Sequence, residues 1–301
     1  MEKQGSIKDT LENWYGPGVE ITERRSLSGS DLNRICRLKT NAGSCIFMKY
    51  NAPQNVDFFR AEAAGLAAIR GTGCVRTPMV LGYGVDSSEN ISFLLLEYIG
   101  GHGRAAEKSW ECFGKELAAM HRAAAVCFTG SGSYGFSEDN FIGTSPQINS
   151  PCAGWIEFFR SRRLEVQIRK AEVYFDRLQL KKLQSLLTHL DDYLYEPDAP
   201  SLLHGDLWAG NVMTGSDGHL WMIDPAVYVG CREADLAMTE LFGGYPEVFY
   251  RSYEEEFPLV PGYHDRRDLY NLYHMLNHLN LFGRGYLPEV LWILNRYVGK
   301  L

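Results

Sequence analysis

The sequence predicts an α+β fold, with a small antiparallel β lobe followed by a larger helical lobe, and three observations carry that reading. Residues 1–99 break into short β-branched and aromatic runs, separated by Gly, Asn and Asp turns, around a single helical stretch. From Lys108 onward the apolar residues recur at helical spacing, and a Gly100-Gly101 pair stands between the two regimes as an expected hinge. The expected division is therefore 1–99 for the N-terminal lobe and 100–301 for the C-terminal lobe.

Taken in order, residues 19–27 and 32–40 read as strands flanking Ser28-Gly29-Ser30-Asp31, Asn41-Ala42-Gly43 makes the next turn, and 44–50 forms a third strand. Alternation along that third strand puts Cys45, Phe47 and Lys49 on one face. An ammonium held among apolar neighbours needs an anionic partner. Phosphate oxygens would serve, and so would Glu62, which lies in a helical segment, 56–70, whose Phe58, Phe59, Leu66 and Ile69 suit packing on a sheet. Strands follow at 79–85 and 91–99, the latter ending in Glu97-Tyr98-Ile99. Helices are expected at 108–126, 155–174, 178–194 and 234–242, and from near Arg267 and Leu287 to the C-terminus.

With 301 residues, 45% hydrophobic and 22% charged, the chain has enough apolar material for a large core. A formal net charge of −7 argues against nucleic acid or an anionic membrane as partner, because both demand clustered Lys and Arg. The basic run from Arg160 to Arg163 precedes apolar residues at helical spacing and reads as a solvated helix face. No apolar stretch approaches the ~20 residues of a membrane span, and Met1-Glu2-Lys3-Gln4 does not open an apolar signal region. A cytoplasmic monomer with no membrane contact is expected. Seven cysteines without a Cys-x-x-Cys pair read as reduced thiols, with Cys36 and Cys45 among core side chains of adjacent strands.

The chemistry is concentrated in His204-Gly205-Asp206-Leu207-Trp208-Ala209-Gly210-Asn211 and the later Ile223-Asp224-Pro225. Phosphoryl transfer is catalysed mainly by positioning and charge neutralisation, so it needs one Asp to orient the attacking hydroxyl and an Asn with a second Asp to hold Mg²⁺. Asp206, Asn211 and Asp224 supply these in order. Two apolar runs, 212–214 and 220–223, flank Gly215-Ser216-Asp217-Gly218-His219 and read as a hairpin with an Asp-Gly turn. That hairpin is expected to set Asn211 opposite Asp224, with Cβ atoms roughly 4.5–5.5 Å apart. Asp-x-x-x-x-Asn with a later Asp is common by chance, but a Lys on the third strand paired to a helix Glu is the kinase arrangement. In such a protein the backbone at Glu97, Tyr98 and Ile99 would hydrogen-bond adenine.

Longer blocks then become recognisable. The 204–211 block, Asp224-Pro225-Ala226-Val227-Tyr228, Arg232-Glu233-Ala234-Asp235-Leu236-Ala237-Met238-Thr239-Glu240-Leu241-Phe242-Gly243-Gly244, Leu272-Tyr273-His274-Met275-Leu276-Asn277-His278-Leu279-Asn280 and Asp139-Asn140-Phe141-Ile142-Gly143-Thr144-Ser145-Pro146-Gln147 closely resemble the fructosamine kinase (ketosamine-3-kinase) family. The resemblance implies a protein-kinase-like bilobal fold that uses Mg-ATP to phosphorylate the third-carbon hydroxyl of a ketoamine, a fructosamine, ribulosamine or erythrulosamine adduct. The unstable product then breaks down, regenerating the amine.

Carried over residue by residue, the resemblance makes Asp206 the base, Asn211 and Asp224 the Mg²⁺ ligands, and Lys49 the α- and β-phosphate ligand, steadied by Glu62. It places Ser28, Gly29 and Ser30 at the phosphates, and Asp139 and Asn140 on the acceptor side. His204 and Asp235 support the catalytic loop; Trp208 either packs on the sugar or anchors that loop. The nucleotide loop holds one glycine where many members have several, and Asp31 adds a negative charge that must turn outward or cap the loop. Pro225 stands where protein kinases have Phe, so control by an activation segment is not expected. An aminoglycoside- or choline-type kinase would share every catalytic residue. A catalytically dead binding module would not be expected to keep Lys49, Asp206, Asn211 and Asp224 together.

Overall fold

The computed structural model describes residues 5–28, 33–101, 103–123, 128 and 134–299. The chain divides into two compact units, Met1–Phe113 with Asn211–Pro225, and Gly114–Gly210 with Ala226–Leu301.

The first unit is built on an antiparallel sheet of β1 (Ile21–Leu27), β2 (Arg34–Thr40), β3 (Cys45–Asn51), β4 (Val80–Asp86) and β5 (Ile91–Glu97), in the order β1-β2-β3-β5-β4. The strand readings hold to within a few residues. Both faces of the sheet are covered, which is why Leu94-Leu95-Leu96 is an apolar run rather than an alternation. On one face Ile46, Met48, Phe93 and Leu95 pack against Ile7 and Leu11 of α1 (Ile7–Tyr15). On the other Leu94, Leu96 and Phe47 pack against Phe59, Ala63 and Leu66 of α2 (Val56–Gly71). Each such residue contributes about 1.5–3 kcal/mol on full burial. Sequence reading passed over α1, although Ser6 caps it by accepting from the Asp9 amide at 3.0 Å. Cys36 is fully buried as expected; Cys45 is instead exposed, paired across the ladder with Lys39 at the turn end of β3.

The expected boundary at residue 99 is not where the chain divides. The hairpin of 212–214 and 220–222 belongs with the sheet, because the Met222 amide donates to the Arg76 carbonyl at 2.9 Å just before β4. Gly100-Gly101 lies against the same hairpin: a Cβ on Gly101 would come within 2.3 Å of the Thr214 carbonyl oxygen. The helix α3 (Glu107–Arg122) also joins it, through the Ser109 hydroxyl donating to the Gly218 carbonyl at 2.6 Å.

The second unit is mainly helical. Trp155–Phe158, Phe159–Leu164 and Glu165–Ala171 form one continuous helical stretch whose middle segment is a π-helix. Arg177–Thr188 starts in a capping box between Asp176 and Gln179. Glu233–Leu241, Tyr263–Phe282 and Leu287–Val298 follow at the expected places, together with Glu247–Glu256, which sequence reading did not identify. Two short ladders complete the unit, Ser201–Leu203 with Tyr228–Gly230 and Asn140–Ile142 with Ser145–Gln147. The solvated-face reading of Arg160–Arg163 fails at Arg163, whose side chain is fully buried with its guanidinium 4.0 Å from the Tyr228 ring centroid and 4.6 Å from that of Phe158. Among the described residues no helix is long and apolar enough to cross a membrane.

Candidate active site

In the first unit, strand alternation carries Lys49 onto the face covered by α2, where the side chain is buried. Its Nζ donates to Glu62 Oε1 at 2.8 Å and to Asp224 Oδ1 at 2.5 Å. Burial works against the ammonium, but the charges of Asp224 and Glu62 outweigh it and hold Lys49 protonated well above its ordinary value. Burial pushes the Glu62 carboxyl up, against the attraction of Lys49. The Asp224 side chain remains 46% exposed.

The hairpin turns as predicted. Gly215 N donates to the His219 carbonyl at 2.8 Å, and Gly218 takes φ +77°, a conformation that favours glycine. Its register differs by one residue from expectation. Met222 faces Val212, and Ile223 N donates to the Asn211 carbonyl at 3.0 Å, so Asn211 stands opposite Ile223 rather than Asp224. A short 3₁₀ turn, Ala209–Asn211, takes Asn211 out of the strand, and Asp224 leaves extended geometry with φ +54°. Carboxylate and amide oxygens suit Mg²⁺, which binds one or two protein carboxylates and takes its remaining ligands from phosphates and water. Among the described residues no group of three His, Cys, Asp or Glu is placed to hold a metal.

Glu97 ends β5 with its amide donating to the Met79 carbonyl at 2.8 Å and its carboxylate accepting from the Met79 amide at 3.1 Å. Both groups are therefore committed to the sheet, and Tyr98 and Ile99 follow it half-buried. Ser28 is exposed; Gly29, Ser30 and Asp31 lie outside the described residues.

In the second unit, Asp235 is buried and holds the loop that carries Asp206. Its Oδ2 accepts from His204 N at 2.7 Å and its Oδ1 from Gly205 N at 2.8 Å. Burial disfavours its charge, but the hydrogen bond from His121 and the loop's donors hold the carboxyl below its usual range. Burial likewise lowers His121, against the pull of Asp235, which favours the neutral imidazole. Its contact with Asp235 is then a hydrogen bond donated by Nε2 at 3.3 Å, with Nδ1 accepting from the Tyr253 hydroxyl at 2.8 Å. His204 is buried, and its Nδ1 accepts from the Asp206 amide at 3.3 Å. Gly205 takes φ +81° where a Cβ would lie 2.0 Å from the Ala226 carbonyl oxygen, so no other residue fits.

Trp208 packs on its own loop. Its ring is 40% exposed, yet it lies across the loop so closely that a Cβ on Gly210 would come within 2.2 Å of the indole.

Asp139 and Asn140, expected on the acceptor side, are both hydrogen-bonded within the second unit. Asn140 is buried, donating to the Val227 carbonyl at 2.7 Å and accepting from Gln147 and Asn149; Asp139 accepts from the Asn149 amide at 2.7 Å. Gln147 also donates to the Ala226 carbonyl at 3.0 Å, and Arg163 donates to Asn149 Oδ1 and the Ile148 carbonyl, each at 2.7 Å. Arg163, Asn149, Asn140 and Gln147 thus form one polar brace against the Ala226-Val227 backbone, and the Ala226 amide donates to the His204 carbonyl at 2.9 Å. A buried Arg looks like a surface Arg in sequence; the π-helix at its position was the available structural sign.

A profile of the fructosamine kinase family matches residues 3–300. The chain is 39% identical over 296 residues to the probable ketoamine kinase of Synechocystis sp., covering 97% of this chain and 95% of that protein. It is 38% identical over 301 residues to the chloroplastic protein-ribulosamine 3-kinase of Oryza sativa subsp. indica, covering 98% and 85%. A crystal structure from Haemophilus somnus 129PT, assigned as a fructosamine-3-kinase, superposes with a TM-score of 0.87 at 28% identity, covering 98% of this chain and 97% of that one.

Proposed function

Because the chain belongs to the fructosamine kinase family, we propose that it transfers the terminal phosphoryl group of ATP to the third-carbon hydroxyl of a ketoamine, with Asp206 as the base. The observation that carries this is the grip of Asp235 on the His204 and Gly205 amides, which fixes the backbone that presents Asp206. A positioned base of this kind contributes about 10²–10⁴ in rate. Asp206 orients the acceptor hydroxyl and takes its proton as the oxygen attacks phosphorus. Lys49, kept charged by Asp224 and Glu62, binds the α- and β-phosphates. Asn211 and Asp224 would hold Mg²⁺, which when bound neutralises charge on the transferred group. The phosphate placed on the third carbon stands beside a carbonyl and becomes a leaving group, so breakdown of the product frees the amine.

The test is ADP release with a synthetic ribulosamine and a fructosamine, set beside choline and an aminoglycoside, with NMR of the product. Phosphate on the third carbon of a ketoamine is the expected result. Turnover of another alcohol with neither ketoamine phosphorylated would overturn the reading.

A further inference from the structure

Asp235, which holds the amides of His204 and Gly205, is itself reached by a line of buried side chains that begins at Arg232, just ahead of the helix Glu233–Leu241. The Arg232 guanidinium lies 3.7 Å from the Phe257 ring centroid, with Nη1 donating to the Phe257 carbonyl at 2.7 Å and Nη2 to the Pro258 carbonyl. Nη1 also donates to the Tyr253 hydroxyl at 3.3 Å. A guanidinium N–H can only donate, so the Tyr253 oxygen accepts there and turns its own proton toward His121 Nδ1, 2.8 Å away. Nδ1 is then the accepting nitrogen of the ring, the imidazole proton sits on Nε2, and Nε2 donates to Asp235 Oδ2 at 3.3 Å. Every donor in the line points toward Asp235. His121, Tyr253 and Asp235 are each 2% exposed or less, which keeps solvent from taking over these bonds.

We propose that Tyr253, aligned by Arg232, is a positioning residue for the base: it keeps His121 a neutral donor, so that Asp235 keeps its full charge for the loop amides. Asp235 and Arg232 face the imidazole from the start of Glu233–Leu241, and Tyr253 faces it from Glu247–Glu256. Asp235 alone would draw a second proton onto the ring. An imidazolium must donate from both nitrogens, and at Nδ1 it would meet the hydroxyl proton that Arg232 has turned toward it. The Arg232 charge opposes the second proton as well. A carboxylate grips an amide about twice as strongly as a neutral acceptor does, and one committed to an imidazolium would have less charge left for His204 N and Gly205 N. The Ser201 hydroxyl also donates to the His121 carbonyl at 2.7 Å, tying His121 to the strand Ser201–Leu203 that enters the loop. This role rests on Asp206 being the base, and it adds which side chains hold that base in place.

The tautomer is read without turnover, by long-range ¹H–¹⁵N NMR of the free enzyme labelled at histidine, the His121 signals being those lost in His121→Gln. At neutral pH His121 should be neutral with its proton on Nε2, and in Tyr253→Phe the Nδ1 signal should move toward that of a nitrogen with no hydrogen bond. Kinetics with ATP and a ribulosamine follow, with kcat taken per folded molecule from near-ultraviolet circular dichroism. Tyr253→Phe should lower kcat by about threefold to tenfold, the worth of one net hydrogen bond, with both KM values retained. His121→Gln, which offers an oxygen to Tyr253 and an N–H to Asp235, should keep most of the wild-type kcat. His121→Met, of the same length with no donor, should lose about tenfold or more, as expected for a bond to a charged group. An imidazolium or an Nδ1–H tautomer in the wild type, an unmoved kcat in Tyr253→Phe, or His121→Gln as impaired as His121→Met would each overturn the proposal, the last by assigning His121 to packing alone. The expected tautomer in an enzyme that phosphorylates no ketoamine would instead overturn the reaction.

Discussion

Asp224 combines two requirements at one residue, a carboxylate held by Lys49 and a backbone at φ +54° that few side chains tolerate. Asp and Asn adopt that conformation most readily. Asp224→Asn should therefore keep the fold while weakening the Mg²⁺ dependence of activity, whereas Asp224→Ala should lose a further ~1–2 kcal/mol of stability to backbone strain. Mg²⁺ titrations and urea denaturation of both variants separate these effects, and an unchanged titration in Asp224→Asn would remove Asp224 as a metal ligand. Asp206→Asn should lower kcat by about 10²–10⁴ with the KM for ATP retained; near wild-type kcat would assign the base elsewhere. Arg163→Met strands a buried acceptor, Asn149 Oδ1, and a part-buried one, the Ile148 carbonyl. At ~1–3 kcal/mol for each, a clear fall in the urea midpoint is expected, and an unmoved midpoint would mean the brace contributes nothing to stability. Lys49 and Glu62 were legible because strand alternation and helical spacing each name a face. Arg163 was not, since a run of arginines looks the same whether solvated or sealed under aromatic rings.

Among elements, the long helix Tyr263–Phe282 illustrates what periodicity conveys and what it omits. Its apolar spacing revealed a helix starting near Arg267, but Tyr263 is buried while its neighbours are exposed, so the first turn gave no apolar stripe to read. The helices Ile7–Tyr15 and Glu247–Glu256 escaped for a related reason, each being dominated by polar residues with a narrow buried face. The hairpin was legible from its Asp-Gly turn, yet its register was not, because a period of two does not say which residues the turn sets opposite each other. Within Tyr263–Phe282, His274 is buried, its Nδ1 has no hydrogen-bond partner among the described residues, and burial pushes it down to about 3. The unfolded chain takes up a proton near pH 6.5 that the folded chain refuses until about pH 3. Stability is thus lost as pH falls through that window, at up to ~1.36 kcal/mol per pH unit. His274→Leu should flatten the dependence of the urea midpoint on pH below 6.5; a variant as acid-sensitive as the wild type would place the cause elsewhere.

For the whole molecule, the change from strand to helical periodicity located the β-rich and helical parts, but not that the first unit is completed by a segment from far along the chain. That interruption fixes an order of events on the ribosome. When residues 1–113 have been made, the sheet and α2 are available, but the hairpin of 211–225 is almost a hundred residues from synthesis. Until it arrives, the buried Lys49 has Glu62 and lacks Asp224, and the edge at Arg76 has no strand to accept from. The nascent first unit must wait for the second acceptor of Lys49 Nζ while the helices that follow are translated.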